Sequence, residues 1–157
     1  MSTSTAEPAR IAIRRAAAGD VDTLRRLWQE YAGEVAAYRS TGWMWTWDDV
    51  RPRLEQGAAF LAVVDGDAAG FLIASRSRPD IGHVEDVYVR PSYRRQGVAT
   101  ALVHHLAAAF RERGVEHIAL DVDVGNDAAR TLYERLGFRA YATRLAADVA
   151  SLGRPMP

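Results

Sequence analysis

At 157 residues the chain fits one domain, and 48% hydrophobic with 25% charged residues is an ordinary composition for a soluble globular protein. Twenty basic residues balance 20 acidic ones, so no global field draws the chain to nucleic acid or to a membrane. It contains no cysteine and no lysine, which excludes thiolate nucleophiles, disulfides, cysteine metal sites and Schiff-base chemistry.

Residues 1–9 read as a flexible polar tail without the apolar core of a signal peptide. No apolar run approaches the roughly 20 residues of a membrane helix, and the expected location is the cytoplasm. Ile11-Ala12-Ile13-Arg14 alternates and predicts a first strand. Asp20 is a plausible N-cap, and Val21, Leu24, Leu27, Trp28 and Tyr31 place an apolar stripe on a helix running to about Tyr38. Thr41-Gly42 breaks it. Trp43, Trp45 and Trp47 put three of the four tryptophans within five residues. Thr46 caps a second helix over 48–56, which Pro52 shortens or distorts. Residues 58–64 and 68–75, joined by Asp65-Gly66, predict an antiparallel hairpin, and 77–80 a loop.

The stretch 84–114 is the most informative. A β-rich run, Val84 to Val89, ends before Pro91, which cannot donate to a strand ladder. Arg94, Arg95 and Gly97 follow, and then Val98, Leu102, Leu106 and Phe110 recur every fourth residue, the apolar stripe of a helix closed by Gly114. A helix N-terminus beside arginines suits a phosphate or pyrophosphate. A mononucleotide P-loop would need a lysine, and a dinucleotide turn three glycines where only Gly97 stands. Beyond Gly114, alternation over 117–124 predicts a strand, Asn126-Asp127 opens a helix to about Leu136, and 139–145 reads as a last strand. The order is β α α β β β α β α β, an α/β domain with a mixed sheet.

Arg94-x-x-Gly97-x-Ala99 after Val87-Tyr88-Val89 resembles the acetyl-CoA signature, (R or Q)-x-x-G-x-(G or A), of the GCN5-related N-acetyltransferases, the GNAT superfamily. Asn126-x-x-Ala129-x-x-Leu132-Tyr133-x-x-x-Gly137-Phe138 is similar to that family's second motif. The resemblance spans residues 10–146 as a single domain and leaves 147–157 as a loose C-terminal tail. It implies a mixed central sheet with helices on both faces, whose parallel central strands, 84–89 and 118–123, splay to admit the pantetheine arm. It also implies acetyl-CoA as co-substrate, held over Val87, Tyr88, Val89, Arg94, Arg95, Gln96, Gly97, Val98, Ala99 and Thr100, with Asn126 and Arg130 reaching it from the second motif. The acceptor is then a primary amine of a small molecule or peptide. No metal, nucleic acid or membrane is expected, and a homodimer is a candidate assembly.

Acyl transfer to an amine needs a neutral nitrogen, yet an alkyl amine with pKa about 10.4 is neutral in only on the order of one molecule in a thousand at pH 7. Something must carry the proton away. Glu85 and Asp86 end the central strand, and adjacent strand residues face opposite sides, so one of them should point at the reacting centre. Glu85, with the longer reach, is the expected base, and Asp86 binds the acceptor's charge or braces the sheet. By resemblance Tyr133 is the acid that protonates the leaving thiolate, with a main-chain N–H near Val87 meeting the oxyanion. Trp43, Trp45 and Asp121 are expected on the acceptor side. The competing expectation is a non-catalytic acyl-CoA sensor, which would need neither Glu85 nor Tyr133.

Overall fold

The computed structural model describes residues 7–37, 45–56 and 58–153. Five strands and four α-helices position the site. They are β1 Ile11–Arg15, α1 Val21–Val35, α2 Trp47–Glu55, β2 Ala59–Val64, β3 Asp67–Arg78, β4 Ile81–Val89, α3 Val98–Arg111, β5 His117–Leu120 and α4 Asp127–Arg135. The sheet order is β1-β2-β3-β4-β5. The first four strands pair antiparallel, and β4 with β5 is the parallel pair.

Period-two alternation divides the core into two layers. On one face Phe60, Ala62, Leu72, Ala74 and Val84 pack against Val98, Leu102, Leu106 and Phe110 of α3. On the other, Leu61, Phe71, Ile73 and Tyr88 pack against Leu24, Leu27 and Trp28 of α1 and Val50 of α2. Each fully buried leucine contributes about 1.5–3 kcal/mol relative to exposure. Helices thus cover both faces, α3 on one and α1 with α2 on the other.

The parallel ladder is short. It runs from Ile81 opposite His117 to Val84 opposite Leu120, whereas β4 continues to Val89. The two strands part at Glu85, and the gap opens there.

Several expectations need correction. Helix α1 ends at Val35, before Tyr38, which lies outside the described residues with Trp43. Helix α2 keeps Pro52 inside its nine residues. Strand β3 extends through Arg78, absorbing the start of the predicted loop, and β4 begins at Ile81. The strand predicted over 117–124 stops at Leu120. The strand expected over 139–145 does not form, and Tyr141 and Leu145 are exposed. β5 offers an edge of only four residues. An Arg144–Asp121 ion pair (2.7 Å) brings this segment back to the end of β5 without a ladder.

Candidate active site

Across β3 and β4, Ile73 lies opposite Asp86 and Ala74 opposite Val84, so Glu85 is an extra residue, a β-bulge. The bulge interrupts the alternation expected of adjacent residues, and Glu85 and Asp86 both line one cleft of about 110 Å³ at the point where β4 and β5 part. Tyr31 and Val35 of α1, Asp121, and Asn126 and Tyr133 from the second motif complete its wall. The expectation that only one of the two carboxylates faces the reacting centre is therefore wrong, and the bulge is the reason.

The two carboxylates have different surroundings. Asp86 is 5% exposed and accepts a 2.5 Å hydrogen bond from the Tyr31 hydroxyl. Glu85 accepts a hydrogen bond from Ser75 Oγ, and His83 Nδ1 stands 3.7 Å from its other oxygen. Tyr133 is partly buried and packs edge-on against Phe138, with ring centres 5.6 Å apart. Burial, with the Asp86 charge adding to it, pushes its phenol up to about 12. It stays protonated over any working pH.

The turn before α3 has the geometry of an anion cradle. Arg95 (φ 60°) and Gly97 (φ 83°) are both left-handed, and Gly97 caps α3 with no side-chain hydrogen bond. The first N–H groups of a helix have no partner within it, and alternating backbone hands gather such donors into a concavity. The donor set fits a pyrophosphate. A Cβ on Gly97 would meet nothing within 4 Å, so glycine is required there by φ and not by space.

Arg94 has protein partners in this structure. Its Nε donates to Val89 O (2.8 Å), its Nη2 pairs with Glu34 (2.7 Å), and its guanidinium lies 5.8 Å from the Tyr88 ring centre. Arg90 makes a matching bidentate pair with Glu30 (2.8 and 2.9 Å), which holds the Glu30 carboxyl below its ordinary range. These contacts fasten the turn to α1 and aim Arg94 at that helix, leaving the exposed Arg95 beside the cradle.

Val98 and Tyr88 are core residues, and Val87 and Val89 pack against the α3 layer, so the side chains of these four are taken up by packing. Ala99 and Thr100 are partly buried at the start of α3, and Gln96 donates to Ser92 O (3.2 Å). Asn126 lines the cleft and caps α4, accepting from Ala129 N (3.1 Å), while Arg130 is exposed. Asp121 meets His83 and Arg144. Trp45 is 48% exposed with Arg53 stacked on it at 4.9 Å, so it does not line the cleft. Sequence reasoning missed Tyr31, Ser75, His83, Glu30 and Glu34. For the last two a signal existed: Glu30 and Glu34 have the same four-residue spacing as Arg90 and Arg94.

A roomier hollow of about 360 Å³ lies between α1 and α2, lined by Val21, Arg25, Trp47 and Leu54 among others. Val21 is ten residues down α1 from Tyr31, about 15 Å. It is remote from the carboxylates, the phenol and the cradle, so volume alone does not mark the site.

Comparison with known proteins places this geometry. A model described as Acetyltransferase (GNAT) family matches residues 21–138. The mycothiol acetyltransferase of Thermomonospora curvata is 35% identical over 124 residues, covering 73% of this chain and 40% of that protein. The chain spans less than half the length of this and other curated relatives, 40–45% for three of them. Among solved structures, the ribosomal-protein-S18-alanine N-acetyltransferase from Escherichia coli is 27% identical with a TM-score of 0.67, covering 85% of this chain and 80% of that one. The aminoglycoside N-acetyltransferase AAC(6')-Iy, solved with CoA, shares the fold at 20% identity and a TM-score of 0.71, covering 90% and 96%.

Proposed function

Because the chain belongs to the Acetyltransferase (GNAT) family, we propose that it is an N-acetyltransferase moving the acetyl group of acetyl-CoA to a primary amine of a small molecule or peptide. The observation that carries this reading is the single cleft joining Glu85, Asp86 and Tyr133 where β4 and β5 part. The uncapped start of α3 follows directly from the same strand.

In this reading the backbone donors around Gly97 hold the pyrophosphate, with Arg95 adding charge, and the thioester lies in the gap beyond Val84. Asp86 and the acidic wall attract the acceptor as its ammonium form. Attraction alone stabilises the charged, unreactive state, so a base is needed. Glu85, at the bulge, takes one proton from the ammonium, and the neutral nitrogen then bonds to the acetyl carbon. The carbonyl oxygen's developing charge meets a main-chain N–H near Val87. The carbon–sulfur bond breaks with Tyr133 donating a hydrogen bond to the departing sulfur, and the nitrogen's second proton passes to that thiolate, leaving the amide and free CoA thiol.

An acceptor screen tests this reading. Acetyl-CoA is supplied with a polyamine, an aminoglycoside, an amino sugar and a peptide with a free N-terminus, and free thiol is measured. Amine-dependent thiol release supports transfer. Acetyl-CoA binding without release by any acceptor favours the sensor.

A further inference from the structure

His83 stands between two residues that line the cleft but does not line it itself. It precedes Glu85 by two positions on β4, so the two share a face. Its Nδ1 lies 3.7 Å from Glu85 Oε2, and its Nε2 lies 3.5 Å from Asp121 Oδ2. Side-chain exposure rises along this line, from 16% at Glu85 through 22% at His83 to 50% at Asp121. Among the described residues, Ser75 of β3 donates to Glu85, the carboxylates of Asp86 and Asp123 line the same cleft as Glu85 and Asp121, and Arg144 of the C-terminal segment sits 2.7 Å from the same Asp121 oxygen. His83 itself is held laterally, opposite Ser75 on β3 and Ala119 on β5.

A base inside a cleft must discharge its proton before the next turnover, and Glu85 is the least exposed of the three groups. We propose that His83 is a positioning and proton-relay residue that carries the proton from Glu85 to the solvent rim at Asp121. The inference rests on the reading of Glu85 as base. With the neutral ring protonated on Nε2, that N–H points to Asp121 and the Nδ1 lone pair faces Glu85. The proton that Glu85 removes from the ammonium passes to Nδ1, regenerating the carboxylate. The imidazolium then loses one proton to water beside Asp121, and exchange with that water restores the Nε2–H form. One proton enters and one leaves per acetyl group transferred. The two gaps exceed direct hydrogen-bond distance, so each hop needs a small side-chain closure or one bridging water.

The test compares His83→Ala, His83→Gln, Asp121→Asn and Glu85→Gln, using acetyl-CoA with any primary amine that wild type turns over. Loss of the relay should lower kcat/KM about tenfold at neutral pH, less than the roughly hundredfold loss for the base itself. The loss should shrink as pH rises and the amine arrives neutral. Free imidazole should restore His83→Ala and leave Glu85→Gln unrestored, with melting temperature and CoA affinity unchanged. Independently of turnover, ¹⁵N spectra of the neutral His83 ring should show the Nε2–H tautomer in wild type, and Asp121→Asn should weaken that preference. Full activity in both His83 variants while Glu85→Gln is impaired would overturn the relay and leave the base standing. Full activity in Glu85→Gln would overturn both. A pH-independent loss with lowered melting temperature and no rescue by imidazole would make His83 structural only, and His83→Gln supplies the same comparison if His83→Ala does not fold.

Discussion

Replacing Tyr133 with phenylalanine removes one oxygen from the cleft and keeps the ring against Phe138. The phenol sits at about 12, whereas a free thiol titrates at about 8.5. Complete proton transfer to the thiolate is therefore uphill by about 3.5 pH units, or about 5 kcal/mol. On the proposed mechanism Tyr133 therefore serves as a hydrogen-bond donor to the developing charge, an interaction worth about 1.5–3 kcal/mol. Its loss should lower kcat about 10- to 150-fold, with CoA affinity nearly unchanged because the interaction strengthens only as charge develops on sulfur. The assay is thiol release against pH, alongside calorimetric CoA binding. The basic limb that an ordinary phenol near 10 would produce moves to about 12, so wild type and Tyr133→Phe should have profiles of the same shape below pH 10. Unchanged kcat would refute the assignment. A basic limb below pH 10 that disappears in the variant would refute the role of burial.

Other outcomes follow from particular contacts. Gly97→Ala, at φ 83°, should cost about 1–2 kcal/mol and weaken acetyl-CoA stabilisation in a thermal shift assay, with Gly97→Asn losing less because asparagine tolerates the left-handed region. Gly82→Ala would drive a Cβ into the Phe110 ring, and this overpacking should cost about 1–3 kcal/mol in denaturant unfolding. The folded state raises the Tyr133 phenol from an unfolded value near 10 to about 12, so its contribution is fully present below pH 10 and is lost between 10 and 12. That is on the order of 3 kcal/mol of alkaline destabilisation, which Tyr133→Phe should remove. On the acid side, the Arg14 hydrogen bonds hold Asp20 at about 2, so its stabilisation is present above about pH 4 and is lost as pH falls towards 2. With Arg14 half exposed, Asp20→Asn should remove less than about 1 kcal/mol of that slope.

Much of the fold was legible because its signals are local. Val98, Leu102, Leu106 and Phe110 announce α3 by spacing alone, and Gly114 announces its left-handed close, which the backbone adopts. The bulge at Glu85 was not legible, because it exists only in the register between β3 and β4 and leaves no mark in the sequence of either strand. For the same reason the sequence could not show that Asp86, not Glu85, is the buried carboxylate, nor that Tyr31 from α1, 55 positions away, would bond to it. Arg94 illustrates a different gap. Its motif position is plain, but the direction of its side chain is decided by Glu34 on a distant helix. The segment 139–145 reads as a strand and is left unpaired, because a local sequence cannot supply an edge to pair with.

The central claim is amine-dependent acetyl transfer with Glu85 as base, and the most direct measurement is the pH dependence of kcat/KM for thiol release by wild type and Glu85→Gln. The substitution keeps size and hydrogen-bonding capacity, including the contact with Ser75. The prediction is a loss of about 10²-fold or more near pH 7 that narrows as pH approaches the amine's own pKa, with acetyl-CoA still bound by both proteins. Equal rates at pH 7 would contradict the claim and turn attention to Asp86.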